Sequence, residues 1–176
     1  MNLARSVTGI ARWLAILGGL VLIVLTVVTC ISIVGRTFSR FGLGPVPGDY
    51  EIVEAGIGFA VFAFLPWCQL NRGHATVDLF TSFLSARANR VIDLVSELLM
   101  LAAIGLITWR LAIGLQDKIG NGEISFILEM PLWWSYAACL AAATVSVGVA
   151  VYMVIVRVGE VAAGRSLLEP AQGGMH

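Results

Sequence analysis

The sequence predicts an all-α membrane protein with four transmembrane helices and a cytoplasmic-side amphipathic interfacial helix between the second and third spans. Of its 176 residues, 59% are hydrophobic and only 12% are charged, whereas an average soluble domain is about 25% charged. The mean hydropathy is +0.91, and a small soluble domain leaves too much of its surface in water to hide so much apolar area. Four long runs with few charged residues recur along the chain, as membrane helices require.

The composition also excludes several function classes. Eleven basic and eleven acidic residues give zero net charge, so no excess positive field is present to hold a nucleic acid. The cysteines occur singly in apolar stretches, without a CxxC motif, which excludes a disulfide framework and a thiolate-rich metal site. With only His74 and His176 available, the sequence offers no set of haem ligands inside the helices. We therefore predict no metal, no cofactor and no enzymatic activity.

The first span is predicted over residues 13–35, which carry no charge and are bracketed by Arg12 and Arg36. A helix of this length measures roughly 35 Å, enough to cross a hydrocarbon core of about 30 Å. The run is too long for the apolar region of a signal peptide and lacks an A-x-A cleavage pattern. It is therefore expected to remain in the protein.

The second and third spans are predicted over residues 52–71 and 94–115. Pro66 lies near the far end of the second span, where membrane helices tolerate a kink. The third span contains Glu97 near one end and Arg110 near the other. Arg110 can extend its charge to the interface, whereas Glu97 requires either headgroup depth or a polar partner.

The fourth span is predicted over residues 132–156, with Pro131 in its first turn, where the missing N–H costs nothing. Aromatic side chains at this end form half of an interfacial belt, namely Trp133, Trp134 and Tyr136. The membrane domain thus covers residues 1–165, and residues 166–176 are expected to form a disordered tail.

The amphipathic helix is predicted over about residues 76–92. Its apolar positions recur at helical spacing, at Val77, Phe80, Leu84, Ala88 and Val91, and polar residues occupy another face. This pattern is typical of a helix lying in the membrane interface. An ordinary solvated connection between two spans is the alternative.

The basic residues predict the orientation of the chain. Seven basic residues lie in the N-terminus, the loop after the second span and the C-terminal tail, namely Arg5, Arg12, Arg72, Arg87, Arg90, Arg157 and Arg165. Four lie in the two loops on the opposite side, namely Arg36, Arg40, Arg110 and Lys118. The positive-inside rule therefore places both termini in the cytoplasm.

The middle of each span offers little chemistry for moving a solute. These regions contain Thr26, Thr29, Thr144 and Ser146 but no carboxylate, histidine or lysine, whereas carriers normally place ionisable groups at this depth. No internal repeat is visible. Glycine and alanine residues in the spans instead favour close helix packing. The pattern indicates a partner or scaffold subunit.

Polar residues gather at three places. Glu51 and Glu54 follow Asp49 at the start of the second span, which either reflects helix N-terminal chemistry, with Asp49 as the cap, or marks Glu51 as a contact to another subunit. At the other end of this span, four residues suggest a bend stabilised by polar contacts or a subunit contact, namely Arg72, Gly73, His74 and Asp78. His74 and Asp78 could bind a metal ion, but two ligands do not make a metal site.

Glu97 is the third place, a single carboxylate near the start of the third span. It would need a basic residue from another helix or from a second chain unless it lies at headgroup depth.

Three segments of the sequence form a recognisable set, namely Gly48-Asp49-Tyr50-Glu51-Ile52-Val53-Glu54, Phe64-Leu65-Pro66 and Arg72-Gly73-His74-Ala75-Thr76-Val77-Asp78. Together they resemble the small membrane subunit, the DctQ-like family, of tripartite ATP-independent periplasmic (TRAP) transporters. The segment Met130-Pro131-Leu132-Trp133-Trp134-Ser135-Tyr136 extends the resemblance to the last span. Many members of the family have a basic residue where this chain has Thr76.

The resemblance implies a division of labour among three proteins. A large multi-span subunit would hold the substrate and sodium sites, and a periplasmic solute-binding protein would deliver an organic acid. This chain would be the scaffold and part of the docking surface, in the bacterial inner membrane and in contact with its lipids. A stand-alone small exporter and a structural assembly factor are the alternatives, and the first span lacks the carboxylate that such an exporter would need.

Overall fold

The computed structural model describes residues 2–71 and 86–163, which form four long α-helices. We number them α1 (Asn2–Thr37), α2 (Asp49–Leu70), α3 (Ala86–Asn121) and α4 (Trp133–Ala163). Each contains a segment long and apolar enough to cross a membrane, within Ala4–Thr37, Asp49–Leu70, Val91–Asn121 and Trp133–Gly159. The predicted all-α architecture with four membrane helices is therefore confirmed.

A short connection with one turn of 3₁₀ helix, Ser39–Phe41, joins α1 to α2. Gly48 precedes α2 in a left-handed conformation with φ of 72°, which glycine adopts without steric cost. Gly48 is thus the N-cap residue, and Asp49, expected to be the cap, is instead the first residue of the helix. α2 continues without a break through Pro66, which is buried.

The connection between α3 and α4 is a small hairpin, which we define as residues 123–131. Ile124 and Pro131 form an antiparallel bridge, and the Ser125 N–H donates to the Met130 carbonyl at 2.9 Å. Pro131 therefore lies two residues before α4 rather than in its first turn, the position predicted from the sequence. The hairpin keeps the backbone polar groups of a short loop paired.

The four helices pack in the order α1, α2, α4, α3. α1 and α3 lie on opposite sides and make no extended contact with each other in the part of the chain that is described. Small side chains line the contacts between neighbours, and the fully buried core includes Ala63, Ala143, Ala150 and Met153. Because the helices do not close into a compact bundle, large apolar side chains of α1 such as Trp13 and Ile23 remain exposed to the surroundings.

The hairpin and the α1–α2 connection lie at one end of the molecule, which we call the loop end. The start of α1, the end of α2, the start of α3 and the end of α4 lie at the other, the terminal end. Most of the predicted amphipathic helix falls outside the described residues, and its last seven residues, 86–92, belong to the first two turns of α3. The predicted tail over 166–176 also lies outside them.

Candidate functional site

At the loop end, the carboxylate of Glu51 holds the hairpin against α2. One oxygen, Oε2, accepts hydrogen bonds from the Ser125 hydroxyl at 2.7 Å and from the Leu128 N–H at 3.1 Å. The other, Oε1, accepts from the Ile127 N–H at 2.9 Å. Hydrogen bonds to an ionised carboxylate are among the stronger ones in proteins. Glu51 therefore fixes a loop that lies more than seventy residues away in sequence.

A second carboxylate, Asp49, holds the α1–α2 connection. It accepts a hydrogen bond from the hydroxyl of Ser32, a buried residue of α1, and lies 3.8 Å from the guanidinium of Arg36. The Ser32 hydroxyl in turn accepts from the Val46 N–H at 3.3 Å. These contacts tie the end of α1 to the start of α2. The hairpin and the α1–α2 connection are therefore both held by carboxylates in the first turn of α2.

An ion pair at the base of the hairpin joins Lys118 of α3 to Glu123. Hydrogen bonding to the Lys118 ammonium holds the pKa of the Glu123 carboxyl below its usual value. Beyond this base, the tip of the hairpin presents apolar side chains, of which Phe126 is fully exposed and Ile127 largely so. The loop end therefore combines a fixed backbone with an apolar tip.

At the terminal end, two polar contacts link α3 to its neighbours. The Gln69 amide of α2 donates from Nε2 to Oε2 of Glu97 at 3.2 Å, and both residues are buried. One turn earlier on α3, Asp93 accepts a hydrogen bond at 2.9 Å from Nη1 of Arg157, a buried residue of α4. These contacts make a polar layer, which we define as Gln69, Asp93, Glu97 and Arg157.

The two predicted residues that the structure describes, Glu51 and Glu97, lie at opposite ends of the molecule. Glu51 and Gln69 are eighteen positions apart on α2, which corresponds to about 27 Å of helix. The remaining predicted residues lie outside the described residues, namely Arg72, Gly73, His74 and Asp78. The structure thus does not combine Glu51 and Glu97 into one site.

Sequence reasoning missed Gln69 and the pairing of Asp93 with Arg157. Gln69 is the one amide side chain within residues 52–70, which is a signal in itself, because apolar helices rarely bury an unpartnered amide. Asp93 lies near the start of α3 and Arg157, of opposite charge, near the end of α4. Because the two helices run antiparallel, both residues lie at the terminal end. Their contact could have been inferred once those helices were known to be neighbours.

The described polar groups form contacts between helices and between helices and loops. Within residues 2–71 and 86–163, no three histidine, cysteine, aspartate or glutamate side chains are grouped so as to hold a metal ion. Ser146, at the middle of α4, donates to backbone carbonyl oxygens of Phe62 and of its own helix. The chemistry present is that of helix packing and loop positioning.

Comparison with known proteins agrees with this architecture. Residues 25–160 match the family described as "Tripartite ATP-independent periplasmic transporters, DctQ component". Comparisons with curated proteins and with solved structures give no match. The family match extends from the middle of the first membrane helix to the end of the last one, over more than half of the chain. The chain therefore belongs to the DctQ family of TRAP transporter components and is a multi-pass membrane protein.

Proposed function

We propose that this chain is the scaffold and docking subunit of a TRAP-type secondary transporter in the bacterial inner membrane. The observation that carries the proposal is the absence of charged side chains from the middle of all four predicted spans. A subunit with such an interior lacks the ionisable groups that carriers normally place at this depth to handle a charged solute. Membership of a tripartite transporter family supplies the context in which other components do so.

The partners in this proposal are a large multi-span membrane subunit and a periplasmic solute-binding protein. The transported solutes are organic acids that bear a carboxylate, and their uptake is coupled to sodium. Both termini face the cytoplasm, as the distribution of arginine residues predicts. In this orientation the loop end, with the hairpin that Glu51 fixes, faces the periplasm and supports docking there.

The segment with Arg72, Gly73, His74 and Asp78 is proposed to form a bend or a subunit contact on the cytoplasmic side. The supporting observation is its composition, since a glycine allows the chain to leave a helix and the flanking polar side chains can stabilise the turn.

Reconstitution into liposomes tests the proposal directly. We expect vesicles that contain this chain alone to take up no radiolabelled organic acid. Vesicles that contain the chain with the large subunit, supplied with the binding protein and an inward sodium gradient, should accumulate the solute. Omitting this chain should abolish uptake. Transport by the chain alone would contradict the proposal and would instead establish the stand-alone exporter.

A further inference from the structure

The pair formed by Gln69 and Glu97 has more hydrogen-bond acceptors than donors. Gln69 has no exposed surface and Glu97 is 9% exposed. The single hydrogen bond between them uses one of the Gln69 amide hydrogens and one Glu97 oxygen. The Gln69 carbonyl oxygen, Oε1, is buried and has no donor among the described residues. A buried acceptor without a donor destabilises the fold, and a buried charge without a partner does so more strongly.

The neighbouring charged groups do not relieve this shortage. Asp93 is one turn before Glu97 on α3 and has the same charge. Arg157, on α4, directs Nη1 to Asp93, and within the described part of the chain no basic side chain lies within ion-pair distance of Glu97. Among the residues that the structure describes, the pair therefore lacks a cationic donor.

We propose that Gln69 and Glu97 form a receptor for a basic side chain from a neighbouring membrane subunit, an inference that rests on the proposed function. A carboxylate next to an amide carbonyl offers acceptors to the fork of N–H groups on a guanidinium, or to the three donors of an ammonium. Glu97 keeps 9% of its surface exposed, so such a donor would approach Glu97 and neutralise its charge. Charge pairing of this kind fixes which partner is accepted and in what register.

The position of the pair on α3 indicates the kind of partner. Glu97 lies within the candidate membrane segment Val91–Asn121, so a basic side chain on an adjacent membrane helix is well placed to approach it. Large apolar side chains next to Glu97 on α3, namely Val95, Leu98 and Leu99, are exposed and offer such a helix a surface to pack against.

The test compares two substitutions of Glu97 with a control on the same helix. Glu97→Gln keeps the shape and the contact with Gln69 but removes the charge, and Glu97→Lys reverses it. Asp117→Asn removes an exposed carboxylate near the other end of α3 and serves as the control. Each full-length variant is co-expressed with the large membrane subunit of the same transporter, and the amount of purified complex is measured.

We expect Glu97→Gln to lower the yield of complex at least tenfold and Glu97→Lys to abolish it, while Asp117→Asn leaves it unchanged. The thermal midpoint of the isolated Glu97→Gln chain should be unchanged or higher, because the substitution removes a buried charge that has no cationic partner among the described residues. Loss of the complex without loss of monomer stability is specific to an intersubunit contact.

Four results would overturn the inference. A wild-type yield of complex with Glu97→Gln would refute it while leaving the proposed function intact. A parallel loss of stability in the isolated chain would show that Glu97 serves only the fold of this subunit. The wild-type chain could also have a higher thermal midpoint in sodium chloride than in choline chloride. If Glu97→Gln removed that difference, the occupant would be a metal cation. If the wild-type chain forms no complex, the proposed function fails and the inference fails with it.

Discussion

At the scale of single residues, two carboxylates of the same type have opposite surroundings. Glu51 lies at the loop end and accepts hydrogen bonds from Ser125, Ile127 and Leu128. Glu97 lies near the terminal end with one amide donor. The sequence made both residues conspicuous, because carboxylates are rare in apolar helices. Their roles depend on which donors the fold brings to them.

Replacing Glu51 with glutamine should loosen the hairpin. The amide group puts a donor where an oxygen now accepts from the loop, and the hydrogen bonds that remain are no longer strengthened by a charge. Hydrogen exchange of the Ile127 and Leu128 amides should accelerate roughly tenfold. Glu54→Gln, one turn further along the same helix at an exposed position, is the matched control and should change neither rate. Equal exchange in wild type and Glu51→Gln would show that the loop does not depend on this carboxylate.

The ion pair at the base of the hairpin predicts a dependence on pH. Since Lys118 lowers the pKa of Glu123 in the folded protein, the pair stabilises the hairpin above the usual carboxyl pKa of 4.5. The contribution should disappear as the pH falls through the lowered pKa. An NMR titration of the Glu123 side chain should give a midpoint below 4.5, and Lys118→Met should move it upward. A midpoint that Lys118→Met leaves in place would contradict the assignment.

At the scale of the helices, glycine positions decide how closely α1 approaches α2. A Cβ atom added to Gly18 would lie 2.9 Å from the Cβ of Ala63, whereas one added to Gly19 would meet nothing within 4 Å. Glycine and alanine in the spans predicted close packing in general, and the structure shows which of them take part. On α2, Gly56 faces Leu25 of α1 and Gly58 faces Cys139 of α4.

The adjacent pair Gly18 and Gly19 gives a sharp test of this packing. Gly18→Ala should destabilise the protein by about 1–3 kcal/mol, because Ala63 cannot move away without displacing its helix. Gly19→Ala should be neutral or slightly stabilising, since alanine has the higher helix propensity. Unfolding of the two variants in detergent micelles measures the difference. If both variants unfold alike, α1 does not approach α2 at this position.

At the scale of the whole molecule, the four helices leave wide apolar surfaces uncovered. α1 and α3 lie on opposite sides of the central pair α2 and α4, and their outward faces have large apolar side chains. Lipid or another membrane subunit must cover these faces, since contiguous apolar areas of this extent are not stable in water. The open arrangement is consistent with a subunit whose surface serves other proteins.

The proposed orientation predicts which end a reagent reaches from outside the cell. In a chain whose native cysteines Cys30, Cys68 and Cys139 are replaced, Phe126→Cys puts a thiol at the fully exposed hairpin tip. A membrane-impermeant maleimide should label it in intact spheroplasts. A cysteine appended to the C-terminus should react only after the membrane is permeabilised. The reverse pattern would place the termini outside and overturn the orientation inferred from the arginine residues.

The sequence by itself determined the solvent and the class of fold, because the length and apolarity of four segments are local properties that a bilayer imposes on any helix. It also singled out Glu51 and Glu97 as unusual. Only the tertiary structure decided that α4 lies between α2 and α3, that Glu51 holds the hairpin and that Gln69 meets Glu97. These contacts join residues that are 28 to 77 positions apart. They depend on which helices pack together. That choice depends on all the side chains along the helix faces at once, through their shapes and their positions in the membrane, and so cannot be read from any one segment.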